Sequence, residues 1–174
     1  RRQRAAAGQL RGQQRRRAAQ HAGVVVQNGV TVSGGSITNS GGATYRINGS
    51  GTLSGVTLTS GSNIDLASAP ATGRVNSGMT VNGSINIGSS SLLNFEGNQT
   101  LGGTGSIVFG AGGNNRVGVD GGNKTLTIAS GVTIRGVDGS IGLGQLINGS
   151  GNAVINNGTI NSDGGGTITV QGLN

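Results

Sequence analysis

Two pairs of carboxylates are spaced as if to meet. Glu96 and Asp120 lie 24 residues apart, and Asp138 and Asp163 lie 25 apart. If the chain coils with a matching period, each pair comes to one column of side chains. Paired carboxylates can carry out acid–base chemistry or hold a hard cation. Glu96, Asp120, Asp138 and Asp163 are therefore the metal candidates. Their setting favours a plainer reading. Asp138-Gly139 and Asp163-Gly164 look like turn openings. Calcium-binding nonapeptide repeats need Gly/Asp units in tandem, and here only the fragments Asp120-Gly121-Gly122 and Asp163-Gly164-Gly165-Gly166 occur. Arg74, Arg116 and Lys124 are near enough in the repeat to neutralise Glu96 and Asp120. The reading is turn residues interchangeable with Asn and Gln, with no catalytic residue, bound metal or cofactor.

Other chemistry has little to draw on. The chain has no cysteine, which excludes disulfides, thiol catalysis and thiolate zinc sites. Its one histidine, His21, sits in a basic arm and would have to fold back to join a Ser/His/Asp set. No Gly-x-x-x-x-Gly-Lys-Ser/Thr phosphate loop is present. For stacking on sugar rings there is no tryptophan. Phe95 and Phe109 read as core, which leaves Tyr45 as the one exposed platform. Thr-x-Thr occurs at 57–59, 125–127 and 167–169, assigned by pattern to three different faces, which argues against an ice-binding ladder. Six Asn-x-Ser/Thr triplets read as products of composition rather than glycosylation sites.

The elements that would position these residues recur. A short apolar stretch ends in an amide or acid and a glycine about every 25 residues. The polar members are Asn48, Asn76, Glu96, Asp120, Asn148 and Gln171. Such a period marks a stacked repeat. Three classes of short strand alternate around this turn. The first precedes it: Tyr45–Ile47, Arg74–Asn76, Leu92–Phe95, Arg116–Val119, Gln145–Ile147 and Thr167–Val170. The second follows it, as in Thr52–Leu53, Met79–Val81 and Leu126–Ile128. The third comes after a further small turn, as in Val56–Leu58, Ile85–Ile87, Ile107–Phe109 and Val132–Ile134. Strands of two to five residues are unstable as isolated hairpins. Stacked vertically, each class becomes a parallel sheet with neighbours about 4.8 Å apart. The expected fold is all-β: a single-stranded, right-handed parallel β-helix (β-solenoid) of about six coils of roughly 25 residues, with three short strands per coil. The hand follows from the preference of parallel crossovers. Alternation turns Ile85/Ile87, Ile107/Phe109 and Val132/Ile134 inward. The longest excursions fall at Gly61–Gly73, Gly110–Asn115 and Gly136–Gly144.

Composition divides the chain at residue 23. Residues 1–22 are rich in Arg, Ala and Gln and contain Arg1, Arg2, Arg4, Arg11, Arg15, Arg16 and Arg17 without an acid. Leu10 is their only large apolar side chain, so a marginal helix or disorder is expected. Residues 23–174 balance five basic against five acidic side chains, so the whole formal charge of +7 belongs to the arm. An anionic surface is the arm's natural partner by charge, but no aromatic is interleaved for base stacking, and no specific nucleic-acid role is expected. No apolar run approaches a membrane span.

The body resembles the passenger domains of bacterial autotransporters and the filamentous-haemagglutinin-like secreted β-helix exoproteins. The likeness rests on Leu92, Asn94-Phe95-Glu96-Gly97-Asn98-Gln99-Thr100-Leu101 and Gly103-Thr104-Gly105. It continues through Leu126–Gly136, Ile155-Asn156-Asn157-Gly158-Thr159-Ile160-Asn161 and Gly166–Val170. It covers about 24–174 and does not extend to the arm. It implies an extracellular or bacterial cell-surface location and a structural or adhesive role, with no shared catalytic residues. The expectation is a non-enzymatic surface rod (a stalk, fibre or adhesin segment) forming part of a longer repeat protein or stacking end to end into filaments. Its partners would be further coils or copies of itself, and host or matrix surface glycans or proteins. The alternatives are a polysaccharide-binding or polysaccharide-cleaving β-helix, and an anion-binding module using the arm.

Overall fold

The structure is a computed structural model that describes residues 22–144, 146–147 and 149–172. The arginines of the arm, His21, Gln145 and Asn148 lie outside the described residues. Every strand pairing is parallel, and the described chain contains no helix, so none that is long and apolar enough to cross a membrane. The chain is a β-solenoid of six full coils followed by two strands of a seventh.

Three faces run up the rod. The first is a seven-stranded sheet of Val24–Gln27, Thr44–Ile47, Asn63–Leu66, Ser84–Ile87, Ser106–Phe109, Thr133–Gly136 and Thr159–Asn161. The second contains Thr31–Ser33, Leu92–Glu96, Arg116–Asp120, Gly139–Leu143 and Ile168–Val170. The third contains Ser36–Ile37, Gln99–Gly103, Thr125–Ile128 and Ala153–Asn156. The two long strands Gly49–Leu58 and Ala71–Val81 run round the corner and belong to both the second and third faces. These faces therefore join as one 11-stranded sheet, where separate sheets were expected.

The core is a set of in-register columns. On the first face Tyr45, Ile64, Ile85, Ile107, Ile134 and Ile160 stack one on another, and beside them run Ile47, Leu66, Ile87 and Phe109. On the second face Leu53, Val75, Phe95 and Val119 do the same. Nearly all of these side chains are fully buried. Burying one such aliphatic group contributes about 1.5–3 kcal/mol, so the columns supply the main drive for coiling. Phe109 is the largest side chain in its column, and the next coil makes room for it with two glycines. Gly136 pairs with Phe109 directly, and a Cβ at Gly139 would meet the ring at 2.5 Å.

Buried amides fasten one coil to the next at the corners. Gln99 donates from Nε2 to the carbonyls of Val75 (2.6 Å) and Glu96 (2.5 Å), and its Oε1 accepts from Gly78 N–H. Asn152, half-buried, makes the equivalent set with Val119, Gly149 and Lys124 two coils higher. Gln27 bridges Val30 and Thr52 while accepting from the Tyr45 hydroxyl. Replacing Gln99 with Ala leaves three backbone groups unpaired and is expected to cost about 2–3 kcal/mol. Gln99→Glu should cost more, because it aims a carboxylate at two carbonyls. Urea unfolding of both variants checks the order.

The coils are shorter at the start than the sequence period implies. Val25 pairs with Tyr45, Tyr45 with Ile64, Ile64 with Ile85 and Ile85 with Ile107, which gives coils of 19 to 22 residues. Ile107 pairs with Ile134 and Ile134 with Ile160, which gives 27 and 26. This moves several assignments. Tyr45–Ile47 lies on the first face, stacked under Asn63–Leu66. Thr52–Leu53 then shares a face with Arg74–Val75, and Val56–Leu58 with Met79–Val81. Two expected excursions contain rungs: Asn63–Leu66 within Gly61–Gly73, and Gly139–Leu143 within Gly136–Gly144. The Thr-x-Thr units at 57–59 and 125–127 share the third face, and only 167–169 lies elsewhere. Tyr45 is buried, so it offers no exposed platform.

Candidate functional site

The carboxylates of the second face sit at its outer edge, where the chain turns toward the third. Asn76, Glu96 and Asp120 occupy successive rungs of one ladder, and Asp120 pairs directly with Glu96. That stacking was legible from the spacing. The rest of the expected ladder does not follow it. Asn48 lies at the corner between the first and second faces and donates its N–H to the Gln27 carbonyl. Gln171 comes level with Gly142, whereas Gly144 is the rung beyond Asp120. Asn148 is outside the described residues. The Asn-Gly and Asn-x-Gly signal occurs at more than one corner, so it does not identify a single ladder.

Stacking brings Glu96 and Asp120 level without making them a working pair. Glu96 is held by the Arg74 guanidinium of the coil below. With the Asn76 amide assigned so that its nitrogen faces the same carboxylate, it donates to Oε2 at 3.1 Å. Asp120 faces outward from the rod yet is fully buried. It is covered by Gly144, Leu146 and Ile147, which follow the second-face strand that ends at Leu143. Asp120 Oδ2 accepts from Asn94 Nδ2 (2.8 Å), Leu146 N–H (2.7 Å) and Ile147 N–H (3.0 Å). Asp120 Oδ1 and Asn94 Oδ1 are buried without a partner. Both lie over glycines of the next coil: a Cβ at Gly144 would fall 2.1 Å from Asp120 Oδ1, and one at Gly118 would fall 2.5 Å from Asn94 Oδ1. The site is thus a clasp for Leu146 and Ile147 of the following coil. Arg116 was expected to help neutralise the pair. It lines a groove with Leu92 and Leu146 instead. Lys124 forms no ion pair among the described residues.

Asp138 and Asp163 do not converge either. Asp138 Oδ2 accepts from Gly112 N–H at 3.2 Å and Oδ1 from Thr167 N–H at 3.1 Å, so it ties the coil below to the coil above. Asp163 is paired with Arg135 at 3.0 Å. Among the described residues no three His, Cys, Asp or Glu side chains gather as a metal site would require.

Sequence reasoning passed over Asp65, which carries the most connected carboxylate of the first face. Its Oδ2 pairs with Arg46 Nε at 2.9 Å and accepts from the Ser68 hydroxyl, and its Oδ1 accepts from the Ala67 and Ser68 amides. Burial pushes its pKa up, but the Ser68 hydroxyl, the Ala67 amide and the Arg46 guanidinium outweigh burial and leave it below the ordinary value of 3.8. The Thr167 and Gly112 amides lower Asp138 in the same way. A carboxylate whose pKa is depressed by folding stabilises the fold above its unfolded pKa and ceases to do so as pH falls through its folded pKa. Stability should therefore hold steady from neutrality to about pH 4 and decline below it. Asp65→Asn and Asp138→Asn should each flatten that decline. Thermal melts between neutral pH and strong acid measure it.

No protein-family model, curated protein or solved structure matches the chain.

Proposed function

We propose that the chain is a structural rod, a stalk, fibre or adhesin segment displayed outside a bacterial cell, with no catalytic activity of its own. One observation carries this reading: all five carboxylates of residues 23–174 act as ties between neighbouring coils. Asp65 reaches Arg46 of the coil below, Glu96 reaches Arg74, and Asp163 reaches Arg135. Asp120 joins Asn94 below to Leu146 and Ile147 above, and Asp138 joins Gly112 below to Thr167 above. An enzyme that cleaves polymers keeps acids free at a cleft. Here the acids reinforce the same vertical stacking as the aliphatic columns, which is what a stiff, nearly one-dimensional object needs.

Two measurements on the 174-residue chain test the proposal. Antibody raised against it should label intact source cells, and the chain should release no reducing ends from bacterial, plant or animal polysaccharides. Labelling that requires permeabilised cells would remove the surface assignment. Polymer cleavage abolished by Glu96→Gln or Asp120→Asn would overturn the structural one.

A further inference from the structure

The arginines of residues 23–174 follow a rule with one exception. Arg46, Arg74 and Arg135 are each paired with a carboxylate of the coil above, Asp65, Glu96 and Asp163. Arg116 has no such partner among the described residues. The residue in register above it is Ser140, and the next outward position on that strand is Gly142. Arg116 is half-buried in an outward column of the second face, where Thr72, Leu92, Arg116, Ser140 and Thr169 follow one another in register. The next residues along three of these strands, Leu93, Val117 and Ile141, point into the core. The column is the floor of a groove. Two hollows of about 300 Å³ each meet at Arg116 and Asn114. Thr72, Ser90, Leu92 and Leu146 line the lower one, and Ser140, Thr167, Thr169 and Gln171 the upper. Five rungs at the parallel-sheet spacing make the floor about 19 Å long.

A guanidinium is a planar fork of donors with no acceptor, and a carboxylate matches it bidentately. Around Arg116 the groove offers a hydroxyl or an amide at every rung. Its apolar lining among the described residues is Leu92, Leu143 and Leu146. The strands beneath are paired with the rungs below and above, so an extended peptide finds no free edge to join. A polymer with hydroxyls along its length and carboxylates at intervals fits both features. We infer that the second face binds an acidic glycan, a sugar chain containing uronic acid, with Arg116 as its anchor. Asp138 sets the polarity of the site. It is the one acid lining either hollow among the described residues, and it lies in the upper one. Its oxygens already accept from Gly112 and Thr167 N–H, and it repels a second carboxylate while remaining able to accept from a sugar hydroxyl. The uronate therefore belongs on the lower side of Arg116, toward Ser90 and Leu92, with the hydroxyls of the next sugar in the upper hollow. The inference deepens the adhesive form of the reading above and rests on it for its biological role, whereas binding is a property of the chain alone.

The test is calorimetric titration of the full 174-residue chain with short uronate oligosaccharides at physiological ionic strength. Neutral oligosaccharides, sulfated oligosaccharides and an acidic peptide are titrated alongside. A full-length variant with glutamine at the seven arginines of residues 1–22 removes the unspecific attraction of the arm. The parent and this variant should bind the uronate and not the neutral sugar. Arg116→Gln should weaken binding about tenfold or more, because it removes a charge-assisted contact. Ser140→Asp should weaken it as much, by giving Arg116 the kind of partner that Asp65 gives Arg46. Arg135→Gln removes the same charge from the first face and should leave the affinity unchanged. Far-UV circular dichroism confirms folding, and Ser140→Asp serves if Arg116→Gln does not fold. A parent that binds no uronate overturns the inference. So does binding lost in the arm variant, or Arg116→Gln and Ser140→Asp proteins that fold and bind like the parent. Sulfated sugar bound in place of uronate would overturn the carboxylate assignment, and acidic peptide held more tightly through Arg116 would overturn it in favour of a protein partner. None of these readouts depends on where the rod is displayed, so their failure leaves the surface assignment to its own test.

Discussion

Gly136→Ala is expected to be among the most damaging single-methyl additions to this chain, costing about 3–5 kcal/mol by combining backbone strain with overpacking. Gly136 has φ near +127°, a conformation that side-chain-bearing residues rarely adopt, and it is buried opposite Phe109. An added Cβ would lie 2.1 Å from the Phe109 carbonyl oxygen and 2.8 Å from its nitrogen. Neither atom can retreat, because both belong to a rung that is hydrogen-bonded above and below. Gly97 is the control: its φ is +93°, but nothing lies within 4 Å of an added Cβ. Gly97→Ala should therefore cost only the strain, about 1–2 kcal/mol. Urea unfolding of the three proteins separates the terms. Equal losses for the two variants would mean that the stacking of Phe109 on Gly136 contributes nothing. Phe109→Ala, by emptying the same layer, should cost about 3–5 kcal/mol.

The spacing logic that placed Asp120 above Glu96 worked because side chains inside a solenoid repeat with the backbone. Ile85 and Ile134 alternate with polar neighbours, and alternation of that kind fixes both the rung and the inward face. The corners carried less information. Asn-Gly suits any tight turn that needs positive φ, and Gly29 and Gly49 supply it at the corner between the first and second faces while Gly78 supplies it between the second and third. Ile47-Asn48-Gly49 was therefore matched with Val75-Asn76-Ser77-Gly78 although the two turn different corners, and every strand of that coil moved by one face. Asn63–Leu66 fell inside the expected Gly61–Gly73 excursion, where Asn and Asp, poor strand formers, weaken the strand signal. Ile64 and Leu66 do alternate, and the outward Asp65 is there to meet Arg46 of the coil below. The role of Asp120 was beyond reach for a different reason. It depends on a loop from the following coil lying on the outside of the rod, and nothing in the pattern of short strands records which way an insertion folds.

That loop supplies the second large effect. Asp120→Ala is expected to cost about 2–4 kcal/mol and to release Leu146 and Ile147 from the second face. The carboxylate is fully buried with no cationic partner among the described residues, so three N–H donors converging on Oδ2 are what make its burial tolerable. Hydrogen bonds to charged groups contribute about 1.5–3 kcal/mol each, and removing the acceptor strands the donors. Leu146 and Ile147 are 40% exposed, so their amides can turn to water once the clasp is gone, whereas the Asn94 amide cannot. The loss should therefore appear first as local opening. Exchange of the Leu146 and Ile147 amides should accelerate strongly, while the columns under Phe95 and Val119 stay protected. Asp120→Asn separates charge from geometry. Its carbonyl oxygen can take the place of Oδ2 and keep all three donors. Its NH2 replaces the unpartnered Oδ1, which lies over Gly144. Stability within about 1 kcal/mol of the parent and an intact loop are expected, because a buried charge has been exchanged for a group that can donate. If Asp120→Asn opens the loop as fully as Asp120→Ala, the negative charge itself holds the clasp, and the hydrogen-bond account of the site fails.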